Sequence, residues 1–182
     1  MTVETVRRVT STDLTDLTDL TDQVTMLETG QKAPAFSLPA DDGSTISLAS
    51  LAGKVVVLYF YPRDDTSGCT IEACEFRDNY AGVKKTGAVV LGVSPDPVKS
   101  HARFIAKLGL PFHLLADEDH AVAEAYGAWG EKSMYGRKYM GIKRTTFVID
   151  GKGRIAKVFE KVKPKGHGAE VLEQVYDLWR AG

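Results

Sequence analysis

Cysteine is scarce in this chain, which has only two among 182 residues. Small secreted proteins that depend on disulfides for stability carry many more, so the scarcity excludes that class. Long apolar stretches are missing as well, because the longest uninterrupted apolar run covers only residues 55–61. A membrane-spanning helix needs about 20 such residues, so the sequence predicts no membrane partner.

Neither sign of charge dominates the composition. The chain has 23 Lys and Arg residues against 24 Asp and Glu residues, which gives a formal net charge of −1. Proteins that bind nucleic acid through a basic surface carry a clear positive excess, so the balance predicts no nucleic-acid partner. With 43% hydrophobic and 26% charged residues, the chain has the composition and length of one globular domain.

The first 27 residues differ in composition from the rest. Residues 12–22 repeat Thr-Asp-Leu, a pattern of poor helix formers with few apolar side chains to bury. We therefore predict an acidic, low-complexity, disordered tail at residues 1–27 and one folded domain at residues 28–182. A docking segment for a partner is the alternative. Because this start resembles neither a secretory signal nor an organellar transit peptide, we expect a cytoplasmic protein.

Strand and helix patterns alternate through the domain. Buried strands are predicted at residues 55–61, 88–93, 112–116, 145–150 and 154–159, the last two forming a hairpin. Helices are predicted at residues 69–85, 97–108, 117–126 and 168–180, and a loop at residues 127–141. This order predicts an α/β fold with a central mixed β-sheet flanked by helices.

Cys69 opens one of these helices, directly after a strand and a turn that contains Gly68. The free N–H groups and the positive dipole end of a first helical turn favour the thiolate, which is the nucleophilic form. Cys74 follows five residues later, about 8.6 Å away between Cα atoms in a regular helix. A disulfide needs Cα atoms within about 7 Å. Either the cysteines never pair, or the helix unwinds when they do.

Three other interpretations of the two cysteines compete with this one. Cys74 could simply fill the core beside Ala73 and Phe76, since free cysteines are often buried. A Cys-x-x-Cys redox motif has a different spacing. Zinc would need a second pair of ligands, and we predict no metal site because the histidines are scattered along the chain: His101, His113, His120 and His167.

Three further residues near the cysteines or in the predicted loop attract weaker hypotheses. Glu72 is expected to be a surface group that complements the helix dipole, with a proton relay as the alternative. Trp129 and Tyr135 are expected to pack in the core, with the floor of a substrate site as their alternative.

The motif Pro62-x-x-x-Thr66-x-x-Cys69 is similar to the active-site signature of the peroxiredoxins. Residues 59–78 around this motif, together with residues 135–147, resemble the PrxQ or bacterioferritin-comigratory-protein subfamily. The likeness extends over residues 28–182.

This resemblance implies a thioredoxin-like fold and an enzyme without metal or organic cofactor. Cys69 would be the peroxidatic cysteine and Cys74 the resolving cysteine, the two joining in a redox-active disulfide. Thr66 and Arg144 would form the peroxide pocket, and Pro62 would shield the thiolate.

The resemblance also implies an activity and partners. The protein would be an atypical two-cysteine thiol peroxidase for hydrogen peroxide and organic hydroperoxides, serving antioxidant defence as a monomer. Thioredoxin or an equivalent dithiol would regenerate it. The alternative functions are a redox sensor that relays oxidation to a partner protein and a general disulfide oxidoreductase. Steady-state turnover of peroxide separates the enzyme from the sensor.

Overall fold

A computed structural model describes residues 26–182, which contain nine strands and four helices. The strands are β1 (Ser37–Pro39), β2 (Thr45–Ser47), β3 (Val56–Phe60), β4 (Val89–Ser94), β5 (His113–Ala116), β6 (Trp129–Met134), β7 (Arg137–Ile142), β8 (Thr145–Ile149) and β9 (Ile155–Phe159). The helices are α1 (Ser67–Lys85), α2 (Val98–Leu108), α3 (Ala121–Ala125) and α4 (His167–Ala181).

Five strands form the central sheet in the order β5-β4-β3-β8-β9. Strands β3, β4 and β5 are parallel, whereas β8 lies antiparallel to β3 and β9 antiparallel to β8. Helices α1 and α2 make the crossovers between the parallel strands, as expected for such connections. The predicted α/β fold with a central mixed sheet is confirmed.

The central strand β3 explains why residues 55–61 are apolar without interruption. Successive side chains point to opposite faces, and every residue of β3 is buried. Val56, Leu58 and Phe60 join one apolar cluster, to which β1 and α3 contribute. Val57 and Tyr59 join the other, which contains residues of α1, α2 and α4. Both faces of the sheet are therefore covered.

The loop predicted at residues 127–141 is wrong, because β6 and β7 form a hairpin there. The two strands are hydrogen-bonded only to each other, as a separate two-stranded sheet. Many of their side chains are exposed, so the apolar–polar alternation of a half-buried strand is missing. The three-residue strands β1 and β2 were missed because they are too short to show a periodicity.

The helix predicted at residues 117–126 is too long. Helix α3 covers only Ala121–Ala125, and Asp117 is a buried residue that precedes it. The Asp117 carboxylate accepts hydrogen bonds from the backbone N–H groups of Val122 at 3.2 Å and Ala123 at 2.8 Å. Asp117 therefore satisfies free N–H groups of the helix instead of forming its first turn.

The described chain begins at Met26, which packs with Leu27 against the cluster around β1 and α3. The Thr-Asp-Leu tract at residues 12–22, with the tail predicted around it, lies outside the described residues, so that hypothesis stays a prediction. None of the helices within residues 26–182 has the length and apolar character needed to cross a membrane.

A buried polar network ties the loop after β3 to α2. His101 is 0% exposed, with Nδ1 2.8 Å from the Asp64 carboxylate and Nε2 3.0 Å from the carbonyl oxygen of Leu115. Tyr61 donates its hydroxyl to the second Asp64 oxygen at 2.6 Å. Both imidazole nitrogens thus lie within hydrogen-bond distance of buried oxygen atoms, which fixes the ring between the loop and β5.

This network also controls the ionisation of Asp64. Burial by itself would raise the pKa of the carboxyl, but the hydrogen bonds from His101 and Tyr61 together outweigh it and hold the pKa below its usual value. The carboxylate is therefore stabilised in its charged form although it is buried.

We expect His101→Leu to lower the free energy of unfolding at pH 7 by about 1 to 3 kcal/mol, because the buried Asp64 carboxylate would lose a hydrogen-bond partner. Since the folded pKa of Asp64 is depressed, its contribution is present above the unfolded pKa and is lost as pH falls through the folded pKa. The difference in free energy of unfolding between wild type and His101→Leu should therefore become smaller in acid, and chemical denaturation measures it.

Lys107→Ala is the matched control for this prediction. Lys107 pairs with Asp65 at 2.6 Å in the same region, but both side chains are exposed, so little change is expected. If His101→Leu were no more destabilising than Lys107→Ala at pH 7, the buried contact between His101 and Asp64 would not stabilise the loop.

Candidate active site

Cys69 lies in the first turn of α1, as predicted. The helix begins at Ser67 after Thr66, whose backbone is extended with φ −93° and ψ 156°. The first helical hydrogen bond joins the Thr70 N–H to the Thr66 carbonyl at 2.9 Å. The Cys69 side chain is buried against the cluster that contains Tyr59. The thiol is thus held beside the N–H groups that open the helix.

Arg144 supplies a positive charge at this thiol. It lies between β7 and β8, and its carbonyl accepts a hydrogen bond from the Val162 N–H at 3.2 Å. The guanidinium donates from Nη2 to Cys69 Sγ at 3.3 Å and from Nη1 to a carboxylate oxygen of Glu72. Arg144 therefore bridges two side chains of α1 that are three residues apart and share one face.

Gly68 makes room for that guanidinium. A Cβ atom at this position would lie 3.1 Å from Arg144 Nη2, closer than side-chain atoms normally approach. The absence of a side chain at Gly68 lets the planar group lie directly against the first turn of α1. Gly68 thus allows the Arg144 guanidinium to lie close to the start of the helix.

Glu72 is a buried member of the site, so the surface position expected for it is wrong. It is 0% exposed, and its second carboxylate oxygen, Oε1, has no hydrogen-bond partner among the described residues. Burial raises the pKa of Glu72 to about 7, although the charge and hydrogen bond of Arg144 act in the opposite direction. Among residues 26–182, Glu72 is the one carboxyl group in contact with the guanidinium.

The pKa of Arg144 is raised in return. Burial by itself would lower it, but the Glu72 carboxylate and the Cys69 sulfur more than compensate. The guanidinium therefore stays charged at neutral pH. A permanent cation next to a thiol favours the thiolate, because an opposite charge stabilises the ionised form.

The structure brings together only some of the residues that the resemblance named. Thr66 is exposed, and its hydroxyl donates to the Arg63 carbonyl at 2.9 Å rather than to Cys69. Pro62 is half-buried in the same loop. Cys74 is half-buried on α1, which runs without a break through both cysteines, and both are free thiols. Cys69 and Arg144 are the pair in direct contact.

The two aromatic residues considered for a substrate floor lie in different surroundings, because Trp129 packs against the cluster around β1 and α3 and Tyr135 does not. Tyr135 is fully exposed at the turn between β6 and β7. Trp129 is partly buried and stacks on the His120 ring, with the centroids 3.8 Å apart. The expectation that they pack in the core is therefore wrong for Tyr135.

Sequence analysis missed Asp64 and His101 as determinants of the site. They fix the loop that carries Pro62 and Thr66, since Asp64 lies between these two residues. The available signal was Asp64 itself, a carboxyl group four residues after the end of the wholly apolar strand β3. Within residues 26–182, no three His, Cys, Asp or Glu side chains come together as a metal-binding group.

Comparisons with known proteins agree with this geometry. The sequence model of the AhpC/TSA family matches residues 29–158. A putative peroxiredoxin Bcp from Coxiella burnetii is 56% identical over 146 residues, which cover 80% of this chain and 97% of the relative. Peroxiredoxin Bcp from Bacillus subtilis is 49% identical over 152 residues, covering 84% and 97% of the two chains.

A solved structure extends the similarity to the fold. Bacterioferritin comigratory protein from Xanthomonas campestris, studied for its alkyl peroxide reduction activity, aligns with a TM-score of 0.78 and 37% identity. The alignment covers 84% of this chain and 99% of the Xanthomonas protein, which confirms the thioredoxin-like fold. The chain therefore belongs to the AhpC/TSA family and is a thiol peroxidase of the Bcp/PrxQ peroxiredoxins.

Proposed function

We propose that this thiol peroxidase reduces hydrogen peroxide and organic hydroperoxides with Cys69 as the peroxidatic residue and Cys74 as the resolving residue. The observation that carries the assignment is the 3.3 Å contact between Arg144 Nη2 and Cys69 Sγ in the first turn of α1. The alkyl peroxide reduction activity named for the similar Xanthomonas protein supports the substrate class.

In the first step the Cys69 thiolate attacks one peroxide oxygen. A sulfur–oxygen bond forms, the oxygen–oxygen bond breaks, and its electron pair leaves with the second oxygen, which takes a proton to become water or an alcohol. Cys69 becomes a sulfenic acid. The guanidinium of Arg144 and the N–H groups of the first helical turn stabilise the charge that builds on the leaving oxygen.

Thr66 and Pro62 are proposed to shape the pocket around the peroxide. The Thr66 hydroxyl donates to the Arg63 carbonyl, and its oxygen can still accept a hydrogen bond from the peroxide O–H. Pro62 offers no N–H group and shields the thiolate from water. The contact between His101 and Asp64 holds in place the loop that contains Pro62 and Thr66.

In the second step the Cys74 thiol attacks the sulfenic sulfur. A disulfide forms and water leaves. A dithiol then transfers two electrons and two protons by exchange, which restores both thiols. We propose thioredoxin or an equivalent protein dithiol as this reductant. A monomeric state and a cytoplasmic location stay predictions from the sequence.

Replacing each cysteine tests the two roles. Cys69→Ser should abolish peroxide turnover, because no other thiol lies against Arg144. Cys74→Ser should complete one turnover and then stop as a sulfenic acid or as a mixed disulfide with the reductant. Mass spectrometry after one equivalent of peroxide distinguishes these products. Steady-state activity of Cys69→Ser equal to wild type would overturn the assignment.

Arg144→Ala should slow peroxide attack by roughly 100- to 1,000-fold, the range seen when a charge-stabilising donor is removed. The thiolate absorbance of Cys69 at neutral pH should also fall, because the adjacent cation is gone. Arg63→Ala is the control, since Arg63 is exposed in the same loop. Arg144→Ala should also be measured in the Glu72→Gln background, so that no unpaired buried carboxylate remains. Equal thiolate titration in wild type and Arg144→Ala would exclude the proposed pocket.

Glu72 should make the stability of the protein depend on pH. Because its folded pKa of about 7 lies above its ordinary value of 4.5, its contribution is present below the unfolded pKa and is lost as pH rises through about 7. Glu72→Gln cannot ionise. The free energy of unfolding of wild type should therefore fall relative to the variant between pH 5 and pH 7, by at most about 1.4 kcal/mol per pH unit. If the free energies of unfolding of wild type and Glu72→Gln changed equally with pH across this interval, the burial of an ionisable Glu72 would be contradicted.

Disulfide formation should unwind the start of α1. A regular helix keeps Cα atoms five residues apart at about 8.6 Å, beyond the 7 Å or so that a disulfide spans. Oxidised protein should lose hydrogen-exchange protection over residues 70–80, while β3 and β4 keep theirs. Mass spectrometry of the reduced and disulfide forms measures the difference. Equal protection of residues 70–80 in both forms would exclude local unwinding.

A further inference from the structure

The hairpin of β6 and β7 carries most of the large apolar side chains that the described chain exposes. Met134 is 57% exposed, Tyr135 100%, Tyr139 40% and Met140 56%. Two others are exposed elsewhere, Ile71 on α1 and Trp179 on α4. Successive side chains of a strand point to opposite faces, so Tyr139 and Met140 lie on opposite faces of the hairpin. The register pairs Met134 with Arg137 and Lys132 with Tyr139, which places Met134 and Tyr139 on one face, and Tyr135 follows at the turn. Single exposed apolar residues are ordinary, whereas several on one face are typical of an interaction surface. We call Met134, Tyr135 and Tyr139 the hairpin tip.

The turn at the end of the hairpin has an unfavourable residue for its backbone. Tyr135 has φ 50° and Gly136 has φ 78°, so both lie in the left-handed region. Such turns favour Asn, Asp or Gly at the first position, and a bulky side chain there is strained. Because Tyr135 is fully exposed, no contact within the described chain compensates for that strain. A partner that covers the ring would supply the missing contact.

The same hairpin is positively charged. Residues 129–142 contain three basic side chains, Lys132, Arg137 and Lys138, against one acidic side chain, Glu131, a balance of +2. Lys143 and Arg144 follow directly. Methionine, tyrosine and arginine are also the residue types that protein interfaces favour. This surface is complementary to a protein face that combines apolar residues with acidic ones.

The hairpin is continuous with the active site. A cavity of about 520 Å³ is lined by Lys132 of β6 together with Lys143 and Arg144. Burial and the neighbouring positive charge of Arg144 lower the pKa of Lys132. A protein seated on the hairpin tip would therefore lie beside the residues that hold Cys69.

We propose that the hairpin tip docks the acidic protein dithiol that regenerates the enzyme. The proposal rests on the proposed function, since it assigns a surface to the reductant of that cycle. At this surface the dithiol attacks the disulfide between Cys69 and Cys74, gives up two electrons and two protons, and leaves as a disulfide while both enzyme thiols return. Every turnover requires such a protein near the cavity, whereas the chemistry requires neither a lipid surface nor a second copy of this chain.

The test compares a protein reductant with a small one. The full-length variant Tyr135→Ser with Tyr139→Ser is assayed with thioredoxin, thioredoxin reductase and NADPH, and separately with dithiothreitol. We expect kcat/KM for thioredoxin to fall about tenfold, as for the loss of apolar interface anchors. The rate with dithiothreitol and kcat/KM for peroxide should match wild type, because small molecules need no docking surface. Trp179→Ser removes an exposed aromatic residue on α4 and should change neither rate.

A second variant tests the charge and guards against misfolding of the first. Arg137→Glu keeps the apolar tip and changes a charge on the same face, and it should also raise KM for thioredoxin while leaving the dithiothreitol rate intact. The salt dependence of kcat/KM for thioredoxin should become weaker in this variant, since exposed charges act through a screened attraction.

Several outcomes would overturn the proposal. An unchanged kcat/KM for thioredoxin in both variants excludes the hairpin tip as the docking surface. Equal losses with thioredoxin and dithiothreitol would mean that the hairpin supports the active site itself. If wild type reduces peroxide with dithiothreitol but not with thioredoxin, the docking proposal fails while the peroxidase function stands. Absence of peroxide turnover with both reductants refutes the proposed function. Tip-dependent binding to anionic phosphatidylglycerol vesicles, or tip-dependent dimers in solution, with normal thioredoxin kinetics would assign the surface to another occupant.

Discussion

The site depends on one guanidinium that contacts two side chains of the same helix. Arg144 reaches α1 from the connection between β7 and β8, contacting Cys69 and Glu72. A buried charge is costly unless it is paired, so removal of any of the three groups leaves another without its partner. This constraint fixes the first turn of α1 against the sheet. Gly68 is part of the same arrangement, because a larger residue would push the guanidinium away.

Local sequence patterns predict the parts of this protein that are governed by local physics. The unbroken apolar run predicts β3 because a strand buried on both faces needs no polar positions, and the turn before Cys69 predicts its place at a helix start. Glu72 was misplaced because its burial depends on a partner 72 residues away. The hairpin of β6 and β7 was missed because its strands bury neither face consistently, which removes the alternation that identifies a strand.

Two buried polar contacts within residues 26–182 serve different parts of the proposed cycle. Asp64 and His101 connect the loop after β3 to α2, outside the segment that joins the cysteines. Arg144 and Glu72 connect the sheet to that segment itself. When the start of α1 unwinds, the first pair can keep Pro62 and Thr66 in place while the second must separate. The peroxide pocket is thus anchored independently of the helix that moves.

The position of Glu72 between the two cysteines has a consequence for the reduction potential. In the proposed cycle, unwinding residues 69–74 withdraws Glu72 from Arg144 and returns its carboxyl group to water. Burial raises the pKa of Glu72 to about 7 in the dithiol form, so a rise in pH toward 7 weakens that form relative to the unwound disulfide form. Glu72 thereby adds a pH dependence to the reduction potential: the disulfide of the proposed cycle is a stronger oxidant in acid than above pH 7.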